Sequence, residues 1–210
     1  MRCWRSSVRR RWPISRPPGV STAASRRGAS AVRIHLLGFM AAGKTRLGPV
    51  LASQGGLDFL DLDAEIERRT GCSLPALFAA GGEAGFRREE QAALAALAGR
   101  AGLVLATGGG VVETPANHPL LRAGFCVYLA WDWPLLAARL AARPGARPLA
   151  AAGEAALQVR WARREPLYRA LADLVLPLAA AEDAEPRARL REGLARRILA
   201  AARAAEGPCA

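Results

Sequence analysis

Lysine is nearly absent from this chain. Of its 30 basic residues only Lys44 is lysine, and the rest are arginine. Histidine is almost as scarce, with His35 and His118 alone, which argues against a histidine-built metal site or catalytic triad. The four cysteines, Cys3, Cys72, Cys126 and Cys209, are scattered without C-x-x-C or Cys/His metal spacing, and are expected as reduced thiols. No apolar run approaches the roughly 20 residues of a membrane span, so a soluble chain with no membrane partner is expected. Acid is missing from the whole first quarter, since the first acidic residue is Asp58.

The basic charge that is present lies mostly at one end. Residues 1–33 carry nine arginines and no acid, which leaves only +3 of the formal +12 for the other 177 residues. A nucleic-acid face on a folded domain is therefore not expected, and no nucleic-acid partner is assigned. Residues 1–31 are rich in Arg, Ser and Pro and lack hydrophobic periodicity, so they read as a disordered basic tail. An early start codon or solvated arm, an organelle transit peptide and a nucleic-acid or anionic-surface arm all fit that composition. The Ala-, Arg- and Gly-rich, lysine-poor remainder is similar to the coding bias of a GC-rich bacterium. That favours a cytoplasmic location over organelle targeting.

From residue 32 to about 205 a single domain is expected. Apolar runs at 32–38, 57–63, 103–110, 124–130 and 172–178 read as strands, with helical patterns between them. Ser73 caps a helix with Pro75 in its first turn. Phe86, Ala93, Leu94 and Leu97 share one helical face, and Leu190, Leu194 and Ile198 share another. Short apolar strands separated by helices imply an α/β fold, a parallel sheet covered on both faces. In such folds ligands sit beyond the carboxyl ends of the strands.

The lone lysine lies at the first of those ends. Gly38, Gly43, Lys44 and Thr45 fit G-x-x-x-x-G-K-[ST] between a strand and a helix. Such a loop, with Ala41 and Ala42 inside it, turns backbone N–H groups onto phosphate oxygens. The lysine reaches the β- and γ-phosphates, and the threonine hydroxyl ligates Mg²⁺. Arginine's planar fork is too wide for that position. A guanine-reading N-K-x-D motif is impossible with Lys44 as the sole lysine, and the length suits a small metabolite kinase. Asp61 and Asp63, two apart at the second strand's end, would leave one face while the strand lasts, one facing Mg²⁺ through water and the other a substrate. Glu83 is expected to pair with Arg87 four residues along a helix.

The blocks "GFMAAGKT", "FLDLDAEIE", "GCSLPALF", "GGEAGFRREE", "ATGGGVV", "ARPLA" and "RREPLYRALA" occur in the order and spacing of shikimate kinases, which residues 33–173 resemble. The resemblance implies ATP–Mg²⁺-dependent phosphorylation of the 3-hydroxyl of shikimate, in the pathway to aromatic amino acids. It implies a three-layer P-loop kinase fold with strand order 2-3-1-4-5, and a lid at about 139–153. It assigns Asp61 with Thr45 to magnesium, and Asp63 to the shikimate hydroxyls as orienter and possible base. Arg87 and Arg164 would clamp the substrate carboxylate beside Gly108, Gly109 and Gly110. Arg147 would close on the transferring phosphoryl group, Arg143 would lie near the adenine, and Arg46 would stand at the α-phosphate, where the family has Ser or Thr. Ala41 replaces a common loop glycine, and the lid tip is short. A monomer is expected, with shikimate and ATP as its small-molecule partners. Two other readings stay open on the residues: a P-loop kinase of gluconate or a nucleotide, and a non-catalytic nucleotide-binding protein.

Overall fold

The computed structural model describes residues 32–142, 153–179 and 187–206. Five strands form one parallel sheet: β1 (Arg33–Leu37), β2 (Asp58–Asp61), β3 (Leu103–Ala106), β4 (Phe125–Trp131) and β5 (Leu174–Leu178). Their spatial order is β2-β3-β1-β4-β5. The chain thus runs from β1 past an empty place to β2, and β3 later fills the gap. Ile34 pairs with Val104 on one side and Phe125 on the other. Ile34–Leu37 and all of β3 are buried, although alternate side chains point to opposite faces. Both faces are therefore covered, as the continuous apolar runs require.

The helices are α1 (Lys44–Gly55), α2 (Leu62–Thr70), α3 (Leu74–Leu97), α4 (His118–Arg122), α5 (Trp133–Ala141), α6 (Glu154–Leu171) and α7 (Arg187–Glu206). Helix α1 packs against α7 and reaches β2 and β3, while α4 and α6 rest on β4. The expected stripe of α7 is there, with Leu194 and Ile198 buried and Leu190 half-buried against the core. Ser73 caps α3, its Oγ accepting from Ala76 N–H. Among the described residues no helix is long and apolar enough to cross a membrane.

Several details differ from the sequence expectation. The second strand stops at Asp61, because its side chain accepts from Asp63 N–H at 3.0 Å and starts α2. Asp61 and Asp63 are thus a helix cap and a first-turn residue rather than two residues of one strand. Helix α3 is broken at Gly82 (φ 60°, ψ −167°). Phe78 and Phe86 stack across the break with centroids 4.6 Å apart. The third strand ends at Ala106, leaving Gly108–Gly110 in a loop. Cys126 is a buried free thiol. The expected tail (1–31) and most of the lid, including Arg143 and Arg147, lie outside the described residues.

Candidate active site

The phosphate loop joins β1 to α1 at the carboxyl edge of the sheet. Gly43, the residue before α1, has φ 99°, a conformation glycine adopts without strain. Ala41 has φ 63°, the one positive φ on a described non-glycine residue. An L side chain there costs roughly 1–2 kcal/mol, a strain that the more usual glycine would not carry. Lys44 is buried, and its Nζ donates to the carbonyls of Gly38 at 2.6 Å and Phe39 at 3.0 Å. The ammonium is thereby folded into the loop. Thr45 Oγ1 donates to Asp61 Oδ2 at 2.6 Å. The two sequence-assigned magnesium residues, from different elements, therefore meet.

A cavity of about 450 Å³ opens beside the loop, lined by Ala41, Ala42, Gly43, Arg46, Trp131 and Arg139 among others. Trp131 Nε1 donates to Ala42 O at 3.0 Å, and Arg139 Nε donates to Ala41 O at 3.1 Å. The Arg139 guanidinium also lies 4.3 Å from the Trp131 ring centroid. Neither residue stands in a motif that the sequence singles out. Arg139 fell at the start of the expected lid, but it sits on α5 and faces the loop.

On the other side of the loop, a smaller cavity gathers Met40, Asp63, Arg87, Glu90, the glycine run and Arg164. The paired arginines are told apart by burial, with Arg164 1% exposed, Arg87 half-buried, and Arg88 and Arg163 at the surface. Arg87 pairs with Glu90 at 2.8 Å and, as expected, with Glu83 at 3.0 Å. Glu113 Oε2 accepts from Arg164 at 2.6 Å and from Arg87 at 3.3 Å, and its Oε1 accepts from Arg163. The Arg164 guanidinium lies 5.8 Å from the ring centroid of Phe39, within the phosphate loop. Tyr168 donates its hydroxyl to Gly109 O from α6, which ties the glycine loop to the helix carrying Arg164.

The glycines are required by their neighbours. A Cβ on Gly110 would stand 2.1 Å from Arg87 Nη2, and one on Gly108 would stand 2.6 Å from Glu90 Oε1 and 3.2 Å from Asp63 Oδ1. Burial pushes the Glu90 carboxyl above its ordinary range, Arg87 opposes this, and Asp63 adds to it. Burial also acts to raise Glu113, but hydrogen bonds and charge from Arg164 and Arg163 outweigh it and hold that carboxyl low. Arg164 Nε and Glu90 Oε1 are buried without a hydrogen-bond partner among the described residues. A ligand with polar atoms would relieve both. Glu90 lies three residues from Arg87 and was legible as a helical neighbour, whereas nothing in its local sequence marks Glu113.

A phosphate loop at the edge of a five-stranded parallel sheet, flanked by a second cavity that gathers Asp63, Arg87, Glu90 and Arg164, defines the class of small P-loop kinases. A family model described as shikimate kinase matches residues 40–200, and the chain belongs to the shikimate kinase family. The chain is 49% identical over 147 residues to the shikimate kinase of Halorhodospira halophila, covering 69% of this chain and 82% of that protein. It is 44% identical over 149 residues to that of Thiobacillus denitrificans, covering 70% and 81%. A shikimate kinase from Acinetobacter baumannii, solved in complex with shikimate, superposes with TM-score 0.69 at 36% identity, covering 81% of this chain and 92% of that one. A gluconokinase from Sinorhizobium meliloti matches with TM-score 0.53 at 20% identity, which speaks to the fold alone.

Proposed function

We propose that this protein transfers the γ-phosphoryl group of ATP to the 3-hydroxyl of shikimate, giving shikimate 3-phosphate and ADP in the pathway to aromatic amino acids. The observation that carries the reading is the joint placement of Arg87 and Arg164 beside Asp63 and the glycine run, next to the phosphate loop. Two guanidinium groups suit a carboxylate, and a carboxylate beside glycine N–H groups suits ring hydroxyls.

The residues divide the work. Gly38, Ala41, Ala42, Gly43 and Lys44 hold the phosphates, and Arg46 lines the nucleotide cavity. Arg87 and Arg164 take the substrate carboxylate, with Gly108–Gly110 against the ring. Asp63 orients the 3-hydroxyl and accepts its proton. The hydroxyl oxygen bonds to the γ-phosphorus as the bond to the β-phosphate oxygen breaks, and ADP leaves. Oxygen donors Thr45 and Asp61 suit Mg²⁺, which, when bound with ATP, neutralises phosphate charge. Arg147 and Arg143 keep the lid and adenine roles that the resemblance gives them. The reading extends to a tail at 1–31, a kinase domain at 32–205, and a cytoplasmic monomer whose site draws on one chain.

An ADP-release assay over shikimate, quinate, gluconate and nucleoside monophosphates tests it. Shikimate should have the highest kcat/KM. A higher value for gluconate or a nucleotide would overturn the assignment.

A further inference from the structure

Before any substrate enters, the arginine clamp already holds a carboxylate. Glu113 Oε2 lies against both Arg164 (2.6 Å) and Arg87 (3.3 Å), so one oxygen bridges the two guanidinium groups. Its other oxygen is held by Arg163. Three guanidinium groups, Arg87, Arg163 and Arg164, thus face three carboxylates, Glu83, Glu90 and Glu113. A substrate acid brings a fourth.

The three carboxylates are not equally able to yield. Glu90 is completely buried, and Glu83 is half exposed and pairs with Arg87 alone. Glu113 alone spans both clamp arginines, and its second oxygen already has a surface partner, since Arg163 is 65% exposed. It can turn onto Arg163 without losing all ion pairing. Arg164, at 1% exposure, needs a counter-ion whether or not substrate is present, because a buried unpaired guanidinium is strongly unfavourable.

Resting on the shikimate reading of this site, we propose that Glu113 is an exchangeable internal counter-ion. It holds the clamp arginines in the free enzyme and is displaced toward Arg163 by the substrate's carboxylate. Affinity for the acid then reflects the exchange of one carboxylate for another. An uncharged analogue cannot make that exchange, so the cost of displacing Glu113 falls on the acid alone and narrows its advantage over neutral rings.

The test is calorimetric binding of shikimate and of its methyl ester to wild type and to Glu113→Gln, with steady-state kinetics beside it. Glu113→Gln should bind shikimate about five- to tenfold more tightly, the scale of one net hydrogen bond. The gain should appear in KM more than in kcat, and ester binding should be unaltered. Arg163→Ala should weaken shikimate binding in the wild-type background and have no effect in the Glu113→Gln background. If Glu113→Gln does not fold, Glu113→Asp, whose shorter carboxylate draws back from Arg164, should show the same tightening. Unchanged or weaker acid binding, equal tightening of acid and ester, or an Arg163→Ala effect independent of Glu113 would overturn the proposal. Those results differ from failure of the shikimate reading itself, in which wild type would neither bind nor phosphorylate shikimate.

Discussion

Thr45 and Asp61 are joined side chain to side chain, Oγ1 to Oδ2, at 2.6 Å. The remaining oxygen of Asp61 caps α2 through Asp63 N–H at 3.0 Å. One carboxylate therefore ties the phosphate loop to the helix that carries Asp63. Asp61→Asn keeps a cap acceptor but halves the oxygen donors and removes the charge. We expect turnover at limiting Mg²⁺ to fall at least about tenfold, with part recovered as Mg²⁺ is raised. A titration of rate against Mg²⁺ that matches wild type would remove Asp61 from the metal's surroundings.

Lys44→Arg keeps charge and changes shape. Lys44 is buried and its ammonium sits within 3.0 Å of two loop carbonyls. A guanidinium needs more width and different donor directions. At saturating ATP–Mg²⁺ and shikimate, kcat should fall at least about 10²-fold, as for loss of one positioned donor at a charge-stabilising site. Activity within about threefold of wild type, at an unchanged Tm, would show that generic positive charge is enough.

Gly110→Ala should act on the substrate arginine and leave the nucleotide alone. The added Cβ would come within 2.1 Å of Arg87 Nη2 and 2.6 Å of its Cζ, so the guanidinium must move. Loss of one charge-assisted contact corresponds to about 1.5–3 kcal/mol. Shikimate KM should rise at least about tenfold with ATP KM nearly constant. Equal rises in both constants would mean that the loop as a whole has shifted.

Ala41→Gly should relieve strain, because Ala41 sits at φ 63°. Unfolding free energy should rise by up to about 1 kcal/mol, read by urea denaturation, the glycine's greater unfolded-state entropy offsetting part of the relief. A loss of stability would show that the loop leaves the left-handed region in solution.

Acid should destabilise the fold through His35. Burial is the main cause that lowers its pKa from 6.5 to about 4, its bond to Leu121 O and Asp173 oppose the shift, and Arg33 adds to it. A depressed histidine favours the folded state fully above pH 6.5 and loses that contribution as pH falls toward 4. The loss by pH 4 is on the order of 3 kcal/mol. His35→Gln, which can still donate to Leu121 O, should show a flatter decline of Tm between pH 6.5 and 4. Parallel declines would place the acid sensitivity elsewhere.

The sequence by itself determined what is local. Gly38–Thr45 needs only a contiguous stretch between a strand and a helix, so its spacing already described a phosphate loop. Periodicity likewise marked β1, β3 and the buried stripe of α7, because burial repeats along one element. Ser73 was readable as a cap from its immediate neighbours. Tertiary structure decided what depends on distant segments meeting. Arg87 and Arg88, or Arg163 and Arg164, are chemically alike, and burial against other elements separates them. Glu113 acquired its place only because β3 inserts between β1 and β2 and carries the following loop up to α3 and α6. Arg139 left the expected lid because α5 continues through Ala141 and turns that guanidinium onto Trp131. Side-chain type and spacing state which chemistry is possible, whereas ion pairing among many arginines depends on the distances that chain crossing alone creates.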